Sequence, residues 1–589
     1  TKEEAEKLMA SGIQALPMQW IDTDKNEQKR TFDNPIDVLH KSRLVGRGDL
    51  EKVDVRSDSP TISEEGQSLI FSFAAAHGLS IKSADITNAY FQGEKLTRPM
   101  LFRQPKGGLT KYDGDDGMQE DNYLLAQVPV YGTRDAGRGF WKKLRKAFIN
   151  AGFRENRVFR ALYSFTDKDG KLMCVAGSHV DDLLWANHPE AEHIVQKVLG
   201  EFEFGKIDSR NFTYCGKEVA TDKDGNITIT CTATTKKLVP IKIAPGRMKN
   251  VTANVTQDEE TQLRSVVGIL AWIARQCRPD LSYRVSRLQS KVSKATVADL
   301  KECNKVVAYA LENPDIGITF KASGLDWDTC VLCTINDASH ANELEYIKAI
   351  ENYEPFRSQS GRLLALVSPE VLEGKESTVH LISHNSTLVK RVCRATLQAE
   401  AYSLQSGVEQ GDVLRAAIAD LYGKLDFKDW ETTAAAHMQM VWITDCESVC
   451  SALKRPVQAK LADKRLQIEI AALRQSLWRK SGEAAEDPMY LDDKPDERSC
   501  SDMIFWIDTD VMLADCLTKQ MDPDVLLNTM KSGIWDPSQP IESLQKKRIK
   551  QMQRSKKKRD DWEGEKRVTV QNKCYKNKFD NSLVDEAED

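Results

Sequence analysis

The sequence predicts an α+β protein of several domains, and three observations carry that reading. In LMCVAGSHVDDLLWA, residues 172–186, one apolar run leads into Asp181 and Asp182 and a second leads away, the pattern of two strands with the acids at a hairpin tip. DKDGK at 167–171 and DKDGN at 222–226 each lie between apolar or β-branched runs, so antiparallel hairpins are expected there too. Helical patterns cover 258–312, and after Asp326 a strand-rich stretch gives way to long helices. With 589 residues the chain exceeds one core, and roughly two to four domains are expected.

Taken in order, MQWIDTDKNEQKR reads as a strand and a polar turn. HKSRLVGRGDL follows, with Lys41, Arg43 and Arg47 around an apolar Leu-Val pair, which fits a phosphate-facing strand or a solvated one. TISEEGQSLIFSFAAAHG, 61–78, places Ser63 before Glu64 and Glu65, the signature of a capped helix start, and ends near Gly78. LSIKSADITNAYFQG is a strand into Asp85, with Tyr90 five positions on. YDGDDGMQED at 112–121 lacks an EF-hand register and reads as an acidic surface loop. YGTRDAGRGFWKKLRKAFINAGF, 131–153, is a glycine-rich turn that becomes an amphipathic basic helix. Pro279 should split the helical stretch LRSVVGILAWIARQCRPDLSYRVSRLQSKV into two.

The 13 cysteines are scattered and odd in number, which points to a reducing compartment. Cys330 and Cys333 form a lone CxxC in a strand-like run with no second pair, a poor zinc site. No apolar run is long enough to span a bilayer. The opening TKEEAEKLMASG is a polar helix pattern and not a signal peptide, and a start at Thr1 suggests a fragment or a processed piece. The net charge of -5 argues weakly against bulk nucleic-acid affinity. Charge is unevenly spread, however: KKRIKQMQRSKKKR occupies 546–559, VDEAED closes the chain, and a mobile basic tail is expected beyond about residue 540.

The Asp181–Asp182 pair is the first candidate site. Adjacent carboxylates repel, burial worsens the repulsion, and a hard divalent cation such as Mg²⁺ relieves it. Two such ions about 3.5–4 Å apart catalyse phosphoryl transfer in polymerases. The bland alternative is a polar turn whose acids face water.

The motifs, read in order, resemble the reverse transcriptase and ribonuclease H region of copia-type retrotransposon Pol polyproteins. HKSRLVGRG resembles the fingers segment, SADITNAYFQGEKLTRPMLFRQPKG the first catalytic motif, and PVYGTRDAGRGFWKKL the family's YGLkQApRaW segment. HVDD resembles YVDD, and LRSVVGILAWIARQCRPDLSYRVSRL a thumb-side segment. TINDASHA, LQAEAYSL, WITDCESV and MLADCLTK resemble the ribonuclease H motifs. The likeness covers roughly residues 10 to 535.

That resemblance implies a right-hand polymerase, with fingers and palm over 1–235 and thumb or connection helices over 236–325, then an α/β ribonuclease H-like domain over 326–540 and the tail over 541–589. It implies Asp85, Asp181 and Asp182 as metal ligands of the polymerase. Lys41 and Arg43 would meet the incoming phosphates, Tyr90 would exclude a ribose 2′ hydroxyl, and Asp135 would lie near the incoming nucleotide. Asp337, Glu400, Asp445 and Asp515 become the ribonuclease H ligands. Each site would take two Mg²⁺ ions, with Mn²⁺ as the substitute. The implied partners are an RNA template, a DNA primer, an RNA–DNA hybrid and dNTPs, together with other parts of the same polyprotein such as protease and integrase, and no membrane. The implied location is the cytoplasm, in a virus-like particle, with nuclear entry as an option for the tail.

Departures from the family stand beside the likeness. Asp135 occupies a position where the family usually has Gln, and His179 replaces the usual aromatic. Residues 340–357 and 425–440 read as insertions. A decayed, inactive relic and a nucleic-acid-binding protein that reuses the fold are the alternatives.

Overall fold

A computed structural model describes residues 2–27, 35–105, 109, 123–341, 357–455, 461–479, 502–538 and 540. The acidic stretch 112–121, most of segment 340–357 and the basic tail lie outside the described residues. Among the described residues, helices and four sheets are mixed along the chain, as the α+β reading requires.

The first sheet joins β1 (Ala15–Asp24), β2 (His40–Gly46), β4 (Met100–Arg103) and β5 (Tyr123–Ala126) in the order β2-β1-β4-β5. The second contains β3 (Ile81–Ile86), β6 (Arg154–Glu155), β7 (Leu162–Thr166), β8 (Leu172–His179), β9 (Asp182–Asn187) and β10 (Phe204–Ser209), in the order β10-β3-β9-β8-β7-β6 and antiparallel throughout. Both DKDG stretches close hairpins. Asp167 N–H donates to the Lys171 carbonyl, and Asp222 N–H to that of Asn226. Gly170 and Gly225 supply the positive φ each turn needs, at 84° and 87°.

Alternation along the strands gives the second sheet two apolar faces. Ala84, Ile86, Leu183 and Trp185 pack under the helix Ala136–Ala151, which buries Phe140, Leu144, Ala147 and Phe148. Ile81, Leu184 and Ala186 face the other way, toward the helix Glu64–Ala76. Ser63 caps that helix by accepting from Gly66 N–H, and Glu64 and Glu65 in its first turn suit its dipole. It ends at Gly78, φ 62°.

A third sheet, β11 (Asn211–Tyr214), β12 (Lys217–Thr221), β13 (Ile227–Thr230) and β14 (Gly317–Phe320), pairs strands on both sides of a helical stretch. That stretch contains the helices Gln257–Cys277, Ser282–Lys291 and Val297–Glu312. Pro279 opens a short 3-10 turn that separates the first two. The fourth sheet runs β19 (Asp502–Trp506), β18 (Met440–Thr444), β15 (Val331–Ser339), β16 (Gln359–Val367), β17 (Ser377–Leu388) and β20 (Ile534–Trp535). β15, β16 and β17 form an antiparallel meander, and β18 and β19 add in parallel beside β15. Cys330, just before β15, and Cys333, within it, are buried thiols. The helix Thr396–Leu421 crosses this sheet at close range: a Cβ on Gly407 would lie 1.9 Å from Asn336 Oδ1.

Second and fourth sheets meet through the Glu64–Ala76 helix, which packs on β8 and β9 and also on β17. A buried relay crosses that boundary. Trp327 Nε1–H donates to Ser72 Oγ at 3.0 Å, and Ser72 Oγ lies 2.8 Å from His380 Nδ1. His380 Nε2 lies 2.9 Å from the Lys321 carbonyl, which can only accept. His380 therefore carries its proton on Nε2, and Ser72 donates to Nδ1. Burial pushes its pKa down to about 4.

The relay generates a prediction for stability. His380 stays neutral in the fold, whereas an unfolded histidine takes up a proton near pH 6.5. Its contribution is complete above pH 6.5 and is lost as pH falls toward 4, by about 3 kcal/mol in all at about 1.4 kcal/mol per pH unit. Urea midpoints measured from pH 7.5 to 4.5 should fall more steeply in the parent than in His380→Gln. Parallel curves would exclude His380 as the titrating group.

Candidate functional site

The hairpin β8–β9 has a two-residue turn, Val180 and Asp181. Val180 adopts φ 58°, a left-handed conformation that a β-branched residue takes only under strain. The turn is pinned from β3, where Ile86 N–H donates to the Asp181 carbonyl at 3.0 Å. Register then places Asp85 of β3 directly opposite Asp182 of β9. Both positions share the sheet face of Ile81 and Leu184, so both carboxylates leave the same face, with Asp181 at the adjoining tip.

The electrostatics are those of crowded acids. Burial, then the charges of Asp181 and Asp85, push the Asp182 carboxyl up to about 6. Burial and Asp181 raise Asp85. Lys41 on β2 faces them: burial, Arg43 and Lys25 lower its pKa, while Asp85 and Asp181 pull it up. Lys25 also acts on Asp85 and belongs to the site, although in the sequence it is one more charge in a polar turn. The β1–β2 ribbon places it there, since Thr23 pairs with Lys41 and Lys25 lies just beyond.

Tyr90 stands in a short 3-10 turn, Ala89–Gln92, that follows β3. Its ring centroid is 4.6 Å from that of Tyr131, and burial and Asp181 raise its pKa. Tyr131 is a further wall of this site that sequence reasoning passed over. Asp135 is different. It precedes the helix Ala136–Ala151, and Arg98 donates to its Oδ2 from Nε at 3.1 Å and from the guanidinium tip at 3.0 Å. Arg98 also holds Glu51 at 2.6 Å. Its immediate neighbours on the turn are engaged elsewhere, Arg134 on the Gly48 carbonyl and Arg138 on Asp58. The acid that sequence reasoning placed near the incoming nucleotide is an ion-pair partner of Arg98.

A second acidic group forms at the fourth sheet. Asp337 lies within β15, Asp445 directly follows β18, and Glu400 stands in the first turns of the Thr396–Leu421 helix that crosses both strands. Ligand atoms of these three acids all lie within 4.8 Å of one another. Asp337 and Glu400 are almost fully buried, and burial together with neighbouring carboxylates raises both well above the usual range. Burial raises Asp445 as well, and Thr509 Oγ1–H donates to its Oδ2 at 2.7 Å.

Asp515, the fourth acid expected here, is not within that trio. Lys519 Nζ donates to its Oδ1 at 2.7 Å. Its charge still raises Asp337, and Thr518, three residues on, donates to Asp337 Oδ2. Thr518 and Lys519 lie in the LADCLTK run, but nothing in their spacing marked them as partners of the acids. Closely set oxygen donors with raised affinities for protons suit a hard divalent cation, which would replace the protons. Among the described residues Asp337, Glu400 and Asp445 fit such an ion, while at the first group the charges of Asp85, Asp181 and Asp182 act on one another.

Residues 8–242 match the family described as reverse transcriptase (RNA-dependent DNA polymerase). The chain is similar to the retrovirus-related Pol polyprotein from transposon RE1 of Arabidopsis thaliana, with 24% identity over 58% of this chain and 23% of the relative. The RE2 polyprotein of the same plant is 23% identical over 57% of the chain and 23% of its own length. The transposon Ty1-MR1 Gag-Pol polyprotein of Saccharomyces cerevisiae is 20% identical over 67% and 23%. The chain therefore spans about a quarter of the length of these curated relatives. The likeness to copia-type Pol polyproteins seen in the motifs holds.

The Arg98 ion pair generates its own prediction. Asp135→Gln removes one of two carboxylates from a partly buried guanidinium, so it should cost about 1–3 kcal/mol of stability and leave nucleotide affinity unimproved. Urea unfolding and single-nucleotide insertion kinetics check both halves. A stable variant with tighter dNTP binding would return Asp135 to the nucleotide.

Proposed function

We propose that this chain is an RNA-directed DNA polymerase with an attached ribonuclease H, from a copia-type retrotransposon. The observation that carries the polymerase half is the cross-strand pair Asp85–Asp182, with Asp181 at the tip, inside the matched segment 8–242. The first sheet serves as fingers, the second as palm, and the helices between Gln257 and Glu312 as thumb or connection. The fourth sheet, with its meander, two parallel strands and crossing helix, supports a ribonuclease H-like domain.

Asp85, Asp181 and Asp182 would hold divalent cations at the first site, and Asp337, Glu400 and Asp445 at the second, with Asp515 beside them. Mg²⁺ pairs bound there would neutralise charge on the phosphoryl oxygens and help deprotonate the attacking oxygen. The protein's own groups do the rest. Lys41, with Lys25 and Arg43 behind it, offers positive charge where the phosphates of a dNTP would lie. The Tyr90 ring, propped by Tyr131, gives a wall against a ribose 2′ hydroxyl. Thr509 and Thr518 orient Asp445 and Asp337, and Lys519 holds Asp515, so that the buried acids keep one arrangement. Substrates would be an RNA template with its primer, the hybrid formed and dNTPs. Action in a cytoplasmic virus-like particle beside other parts of a polyprotein, with nuclear entry through the basic tail, completes the reading.

Primer extension on poly(rA)/oligo(dT) with Mg²⁺ tests it. Asp181→Asn should lower extension by orders of magnitude while template binding stays nearly unchanged, and extension equal to the parent's would refute the first site. Glu400→Gln should abolish cleavage of an RNA–DNA hybrid and leave extension intact. Loss of both activities in that folded variant would point to a single shared site. Tyr90→Val should admit UTP in single-nucleotide insertion while dTTP use falls only modestly, and unchanged discrimination would remove Tyr90 from the sugar.

A further inference from the structure

A basic surface lies on the side of the second sheet away from Asp85 and Asp182. The helix Ala136–Ala151 covers that side with Phe140, Leu144, Ala147 and Phe148, and its outer face exposes Lys142, Arg145 and Lys146. The following segment adds exposed Arg154, Arg157 and Arg160. These six cations line two adjoining grooves. The carboxylates among them are Glu94, Glu155 and Asp420.

Two of those acids lie beneath the cations. Glu155, with its side chain only 8% exposed, receives Arg145 at 2.5 Å and Arg160 at 3.0 Å. Asp420, from the end of the Thr396–Leu421 helix, is 5% exposed and receives Arg157 at 2.6 Å. The guanidinium groups are thereby fixed in place with their outer edges in solvent. Lys142 and Lys146 have no carboxylate partner among the described residues. Arg157 also lies over the ring of Phe427, 4.4 Å from its centroid, and that ring is 48% exposed. Phe427 belongs to segment 425–440, which sequence reading took for an insertion.

We propose that this surface binds the phosphodiester backbone of a single-stranded nucleic acid outside both catalytic sites. A row of fixed, outward-facing cations matches spaced phosphates, and an exposed ring beside them offers a base a face to stack on. The sheet stands between this surface and the Asp85 face, so a strand held here is separate from one at the carboxylates. The proposal builds on the reading that the chain handles nucleic acid, but it does not need either activity.

The test is fluorescence anisotropy of labelled oligo(dT), with a short unlabelled RNA–DNA hybrid in excess to fill the catalytic sites. The full chain is compared with the triple variant Lys142→Gln, Lys146→Gln, Arg154→Gln, none of whose residues holds a carboxylate among the described residues. At about 0.7 per single-strand phosphate contact, the triple variant should reduce the slope of log K against log salt by about 2. Phe427→Ala should weaken binding by about five-fold or more. An unchanged slope would overturn the proposal. So would polyglutamate competing as well as oligo(dT) at equal charge, since the surface would then accept any polyanion. Primer extension on the same preparations keeps the two readings apart. A parent that extends while the slope is unchanged loses only this surface, and a parent that binds with the expected slope change but extends nothing loses only the polymerase.

Discussion

The helix Glu64–Ala76 must be buried on every side, and most of the architecture follows from that requirement. Gly66, Gln67, Leu69, Ile70, Phe71, Ser72, Phe73, Ala74 and Ala75 are all buried, so beyond Glu64, Glu65 and Ser68 near its start the helix has no polar stripe to show water. One sheet can cover only one side of it. The second sheet takes one side and β17 of the fourth takes another, which joins the two sheets into a continuous apolar interior. Along that boundary Trp327, Ser72, His380 and the Lys321 carbonyl satisfy one another in sequence, which offsets the cost of enclosing them. Two groups of acids that share no residue are thereby mounted on one body.

Each group of acids works against the fold that holds it. Raised carboxyl affinities for protons at Asp182, Asp337 and Glu400 express burial first and then charge crowding, which packing must resist. Rigid supports supply the resistance. At the hairpin, register and the Ile86–Asp181 bond hold Val180 in a backbone conformation it would not choose. At the fourth sheet, Gly407 lets the helix carrying Glu400 approach β15 closely enough to bring the acids within reach of one ion. The close approach and the strained turn are the same device, geometry held by neighbours to keep like charges together.

Much of this was legible in order along the chain. Local patterns with a local cause came through: Ser63 as a cap, the two DKDG hairpins, the break at Pro279, and strands ending at or near Asp85, Asp181 and Asp445. Asp337 and Glu400 became candidates because strand-like and helix-like runs carry them, together with a motif order that resembles a known family. Partner choice was not legible. Asp135 pairs with Arg98, 37 positions away, and no spacing rule selects that arginine over Arg134 or Arg138 next door. Lys25 and Tyr131 were invisible for the same reason.

The sequence by itself therefore determined which segments become helix and strand, and which acids are candidates. Those properties depend on side chains within a few positions of one another, through capping, turn chemistry and alternation. Only the tertiary structure decided that Asp515 is neutralised by Lys519 while Asp337, Glu400 and Asp445 crowd together. It alone placed a bank of arginines over Glu155 and Asp420, on the sheet face opposite Asp85. Charges respond to distance in space, and the fold sets that distance between residues that are remote in the chain.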